Sequence, residues 1–286
     1  ITVDLLKGRA TSTSRGDKAK IGTDKISSVE NLIAGYHSDR LTGTNGSNSI
    51  QALSGNDWIY GAAGNDTING GSGRDTAQFS SRSNRINLGT TKWQNTGDGR
   101  DRLISIENIN AGSGNDVVTG NKAKNTLNGQ NGNDHLYGAA GNDIINGGKG
   151  RDTAQFSSRS NRINLGTTKW QNTGDGRDRL ISIENVNAGS GNDVVTGNKA
   201  KNTLNGQNGN DRLYGGGGND RLYGGGGNDL LIGGGGKDRV WGQGGRDTFR
   251  VQRGSGYTII EDFNDGVDRI QLGTGASGLQ LKNRGD

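Results

Sequence analysis

An acidic or amide residue returns every nine positions along most of this chain, and that period sets what the chain can fold into. The marker falls at Asp39, Asn48, Asp57, Asp66 and Asp75. After a gap it resumes at Asp116, Asn125, Asp134, Asp143 and Asp152, and then at Asp193, Asn202, Asp211, Asp220, Asp229, Asp238 and Asp247. A Gly-rich hexad ends on most markers, as in Gly224-Gly225-Gly226-Gly227-Asn228-Asp229. Two residues past the marker stands a mostly apolar side chain, such as Ile59, Leu127, Leu213 or Phe249. Glycines supply the positive φ angles and close backbone approach of a tight turn, and the residues after the marker alternate like a short strand. One apolar side chain per nine cannot close a two-layer core. It can line the inside of a flattened coil built from two nonapeptides per turn.

A longer period of 77 residues lies over the short one. Arg74 to Asp134 returns as Arg151 to Asp211 with one change in 61 positions, Ile109 to Val186. Ser28-Val29-Glu30-Asn31, Ser105-Ile106-Glu107-Asn108 and Ser182-Ile183-Glu184-Asn185 keep the same offset. The expected organisation is a truncated first unit over 1–73, a second over 74–150, an extended third over 151–250 and a closing cap over 251–286. The chain opens inside the pattern at Ile1, as expected of a fragment or processed product.

Composition narrows the alternatives. The 286 residues include 55 Gly and no Pro, Cys or Met, which excludes a collagen-like helix, a disulfide scaffold and thiolate metal sites. Leu, Ile, Val and Phe make up about 19% of residues, just under the ~20% below which a chain struggles to fold by itself. No apolar run approaches the ~18 residues needed to cross a bilayer, and no charged-then-apolar leader opens the chain. The formal net charge of +5 is interspersed rather than blocked and points to anionic partners.

Two nonapeptides per coil place the markers at i and i+18 on one edge, about 4.8 Å apart. Carboxylates that close repel unless a cation lies between them. Calcium suits such a place, because it prefers oxygen ligands at about 2.3–2.6 Å, tolerates irregular geometry and accepts backbone carbonyls. Zinc does not, since Cys is absent and the two histidines, His37 and His135, are far apart and unrepeated.

Gly70-Gly71-Ser72-Gly73-Arg74-Asp75, Gly147-Gly148-Lys149-Gly150-Arg151-Asp152 and Gly215-Gly216-Gly217-Gly218-Asn219-Asp220 resemble the GGxGxDxUx repeats of RTX, or haemolysin-type calcium-binding, proteins. The stretches from Val3 to Asn31 and from Ile86 to Asn108 are similar to connecting segments of large RTX surface proteins. Gly256 to Phe263, followed by Gly266-Val267-Asp268-Arg269-Ile270, looks like their closing cap. The resemblance implies an all-β fold, a right-handed parallel β-roll (β-solenoid) with Ca²⁺ between turns. Carried over by position, it implies two-carboxylate pairs at Asp39/Asp57, Asp57/Asp75, Asp116/Asp134, Asp134/Asp152, Asp193/Asp211, Asp211/Asp229, Asp229/Asp247 and Asp220/Asp238. Three weaker or empty pairs join Asn48 to Asp66, Asn125 to Asp143 and Asn202 to Asp220. The expected count is about eight Ca²⁺, up to eleven.

Other signals are weaker. Gly233 to Asp238 fails as a phosphate loop, because Leu231 and Asp238 occupy two required positions. Gly97-Asp98-Gly99-Arg100-Asp101 and its copy at 174–178 have a GxGxD core able to hold an extra ion, but read as solvated turns. Trp93 and Trp170, each beside a Lys, read as packed on the roll, with stacking on a sugar ring the alternative. No nucleophile, base and orienting group stand together, so the segment reads as non-enzymatic. Eight bound Ca²⁺ would take the formal charge from +5 to about +21, which suits an anionic polysaccharide or cell surface. The expected role is a secreted, extracellular structural or adhesive repeat protein exported through a type I channel, with self-association into filaments, sheaths or layers; no specific nucleic acid is expected. The alternative is the secretion and folding module of a larger toxin or hydrolase. The near-identical duplication favours the first.

Overall fold

The computed structural model describes residues 1–11, 23–80, 82–157, 159–252 and 256–273. Part of the Val3–Asn31 stretch and the end of the expected cap, 274–286, lie outside the described residues. Among the described residues every regular element is a strand, most strand pairs are parallel, and the commonest register is 18 residues. The chain forms a β-solenoid and divides into two compact units, Ile1–Ala154 with Asp178–Ile183, and Gln155–Arg177 with Glu184–Asp286.

In the first unit one parallel sheet stacks Thr2–Asp4, Arg40–Thr42, Trp58–Tyr60, Thr76–Gln78, Asn108–Asn110, Thr126–Asn131 and Ile144–Lys149. A second stacks Asn31–Ile33, Ser49–Gln51, Thr67–Asn69 and Arg100–Ile104, and a third Arg85–Asn87, Val117–Thr119 and His135–Tyr137. The stretch between Asp75 and Asp116 breaks the nine-residue rule by a step forward and back. Arg85–Asn87 starts the third sheet, the chain reverses through Gln94–Asn95, and only then does Arg100–Ile104 close the second sheet against Thr67–Asn69.

In the second unit, Arg162–Asn164, Val194–Thr196, Arg212–Gly217, the first part of Leu230–Gly244, Thr248–Val251 and Arg269–Leu272 form one sheet. Asn185–Asn187, Thr203–Asn208, Arg221–Gly226, the last part of Leu230–Gly244 and Gly256–Ile260 form another.

The interior follows from the residue two past each marker. Leu41, Ile50, Ile59, Val118, Leu127, Leu136, Val195, Leu204, Leu213 and Leu222 are wholly buried, each over its equivalent one coil away. A fully buried Leu or Ile contributes about 1.5–3 kcal/mol, so a narrow core is assembled one side chain per nonapeptide. Outside, the same register makes ladders: Tyr223 stacks on Trp241 at 4.5 Å, and the Arg40 guanidinium lies 3.6 Å over the Trp58 ring.

Most turns hold glycine at the fourth position of the hexad, His37, Ala123 and Ala200 being exceptions. Gly73, at φ 138°, packs its Cα onto the Gly55 carbonyl of the coil before, leaving no room for a Cβ. The second position is also left-handed, yet holds Leu53, Gln130, Gln207 and Gln243 at φ 68–74°.

Candidate metal centre

The markers form ladders in which each carboxylate grips the coil before it. Asp57 Oδ1 accepts the Asp39 N–H at 2.7 Å, and Asp75 Oδ1 accepts that of Asp57 at 2.8 Å. The same bond joins Asp116 to Asp134, Asp134 to Asp152, Asp193 to Asp211 and Asp211 to Asp229 at 2.8 Å, and Asp229 to Asp247 and Asp220 to Asp238 at 2.9 Å. Asn48, Asn125 and Asn202 donate to Asp66, Asp143 and Asp220 at 2.8 Å. Every pair expected at i and i+18 is therefore brought together, and all these side chains are buried.

The second carboxylate oxygen is different. Oδ2 of Asp57, Asp66, Asp75, Asp116, Asp134, Asp193, Asp211, Asp220, Asp229, Asp238 and Asp247 is buried and has no hydrogen-bond partner. An unpartnered buried acceptor costs about 1–3 kcal/mol, and more if charged. Burial, reinforced by the neighbouring carboxylate, pushes Asp57, Asp134 and Asp211 up to about 6 and Asp66, Asp220 and Asp229 up to about 7, although the backbone bond to Oδ1 pulls each down.

Where the hexad opens on Gly, the orphan oxygen faces that residue. Beside Gly129 it meets a second oxygen: Asp134 Oδ2 and the Gly147 carbonyl of the next coil converge where a Cβ would stand, 2.7 Å from that carbonyl. Asp211 Oδ2 and the Gly224 carbonyl converge likewise at Gly206, Asp220 and Gly233 at Gly215, and Asp229 and Gly242 at Gly224. Among the described residues no three His, Cys, Asp or Glu side chains gather to hold a metal. The oxygen sets are mixed, carboxylate with carbonyl, a donor set that fits a hard cation such as Ca²⁺ and not zinc.

Several turns depart from this scheme. At Asn48, Asn125 and Asn202 the amide Nδ2 donates to the carbonyls of Glu30, Glu107 and Glu184 at 2.9–3.0 Å, while Oδ1 accepts the N–H of Thr44, Asn121 and Asn198. These turns satisfy themselves. At Asp57, Asp116 and Asp193 the hexad begins with buried Ala52, Ala111 and Ala188, so a methyl group stands where the others have Gly.

The sequence reading missed residues in the stretches that break the period. Asp101 and Asp178, expected in solvated turns, are 2% exposed and continue the ladders: they accept the Asp66 and Asp143 N–H groups at 2.9 and 2.8 Å. The reason is that 96–101 is itself a repeat turn. Arg100 N–H binds Asn65 Oδ1 and Gly64 N–H binds the Asp98 carbonyl, as in the regular coils. Thr96 replaces the first Gly, and its hydroxyl caps Asp101 Oδ2. Glu107 and Asp268 are further rungs, accepting from Asp75 and Asp247 at 2.9 Å. The GxGxD core was the available signal; the offset of 35 rather than 18 hid it. Trp93 and Trp170 are 46% and 38% exposed, and only part of each ring is covered.

A family model confirms this repeat. The RTX calcium-binding nonapeptide repeat, described in four copies, matches residues 42–77, 95–134, 119–154, 187–222 and 214–249, more than half of the chain. The chain belongs to the RTX calcium-binding repeat family. The match beginning at 95 takes in the degenerate turn at 96–101, and the one ending at 249 stops at the last nonapeptide before the cap. Comparison with curated proteins finds no match. As an RTX repeat protein the chain is a β-roll built to bind calcium.

Proposed function

We propose that this RTX chain is a secreted structural or adhesive segment whose β-roll forms when calcium enters the Asp ladders, at about eight sites in the Asp/Asp pairs. The observation that carries the reading is the row of buried, unpartnered Asp Oδ2 atoms, those of Asp134, Asp211, Asp220 and Asp229 converging with turn carbonyls. Bound calcium supplies the positive charge that lets these carboxylates stay ionised inside the roll. Asp134, Asp211, Asp220 and Asp229, with the carbonyls of Gly147, Gly224, Gly233 and Gly242, offer the most complete oxygen sets. The amide-closed turns at Asn48, Asn125 and Asn202 need no ion.

Sites with few carboxylates and ligands drawn from separate coils suit the ~10⁻⁴–10⁻³ M affinities of extracellular modules, which supports a role outside the cell. Assembly from distant coils also makes binding part of folding. The near-exact 77-residue duplication supports a spacer or layer-forming array over a one-off folding tail. Exposed Arg82, Arg85, Lys92, Arg100 and Arg102, repeated one unit on, give the loaded roll a basic surface suited to an acidic polysaccharide. Circular dichroism at neutral pH tests the core of the reading: strand signal in millimolar calcium and its loss in excess EGTA are expected, and equal strand content in both would sink it.

A further inference from the structure

We propose that Ser105-Ile106-Glu107-Asn108 stands in for a missing nonapeptide turn and, with Asp75, completes a further calcium-class cation site. The inference rests on the calcium reading above and extends it to residues outside the repeat motif.

Asp75 ends the last regular hexad before the period breaks. Its regular partner would be 18 residues on, but position 93 is an exposed Trp. Asp75 Oδ2 is nevertheless fully buried, unpartnered and aimed at the place where a Cβ of Gly70 would stand, 2.5 Å away. The Ser105 carbonyl converges on that same point. It occupies the place that the Gly224 carbonyl holds opposite Asp211. Ser105 can present it because the residue sits at φ 49°, in the left-handed region that a serine rarely enters. Glu107 then takes the part of the next marker: its Oε2 accepts the Asp75 N–H at 2.9 Å, the bond that Asp Oδ1 makes elsewhere. One short segment thus supplies both the carbonyl and the second carboxylate that a regular hexad supplies.

The geometry recurs. Asp152 Oδ2 and the Ser182 carbonyl converge beside Gly147, and Ser182 has φ 50°. Ser105 to Asn108 follows the stretch that interrupts the nine-residue period, so this ion would bridge the interruption.

Bound calcium per chain, counted by equilibrium dialysis at neutral pH on the full chain, tests the proposal with Glu107→Gln. Glutamine keeps an oxygen to accept the backbone N–H but removes the charge. The expected result is one ion fewer than the parent, with an unchanged strand spectrum in calcium. If the variant does not fold at the parent's calcium level, folding restored by more calcium supports the proposal. An unchanged count, with folding at the parent's calcium midpoint, overturns it while leaving the repeat sites standing. A parent chain that takes up no calcium overturns this proposal together with the reading beneath it.

Discussion

Removing calcium should make the stability of the roll fall as pH rises. In the unfolded chain the marker carboxyls release their protons near 3.8; in the folded chain Asp57, Asp134 and Asp211 hold theirs to about 6, and Asp66, Asp220 and Asp229 to about 7. The folded state therefore binds more protons between these limits, and metal-free stability is highest below about pH 4 and declines until about pH 7. At about 1.4 kcal/mol per unit, each such shift costs the ionised fold on the order of 3 kcal/mol, and the neighbouring carboxylates act together against it. A domain has only about 5–15 kcal/mol to lose. Metal-free chain, prepared on a chelating resin and followed by far-UV circular dichroism, should show strand signal near pH 4 and disorder at pH 8. Calcium added at pH 8 should restore the signal. A metal-free chain that keeps the same strand spectrum from pH 4 to pH 8 would refute the reasoning, because the buried carboxylates would then be carrying no uncompensated charge.

Other perturbations act on single layers of the structure. Gly206→Ala places a methyl group 2.5 Å from the Gly224 carbonyl and should cost about 1–3 kcal/mol of stability, read from the denaturant midpoint in calcium. Leu213→Ala empties a fully buried place in the narrow core and should cost about 2–5 kcal/mol in calcium without changing the ion count. Retention on a uronate-rich polysaccharide should require calcium and fall steeply with salt, as a basic loaded surface demands; calcium-independent or salt-insensitive retention would contradict it.

The roll and its ladders were legible because each rests on one residue at one fixed spacing. Leu41, Ile59, Leu127 and Leu213 are inside because they stand two past a marker, and Asp134 meets Asp152 because 18 residues make one coil. That logic fails where the chain leaves the period. Asp101 lies under Asp66 across 35 residues and Glu107 lies under Asp75 across 32, distances fixed by a strand that steps ahead and returns. The local chemistry of the turns was also hidden. An Asn at a marker looks like a weaker ligand in sequence, but Asn125 Nδ2 donates to the Glu107 carbonyl and closes its turn without a cation.

The most direct test of the account is a calcium titration at pH 7.5 in which bound calcium and far-UV circular dichroism are followed on the same samples. The account predicts a disordered chain without calcium, and strand signal rising in step with the uptake of several ions, about eight at saturation. Strand signal already complete before calcium is added, or a folded chain that takes up no calcium, would contradict it.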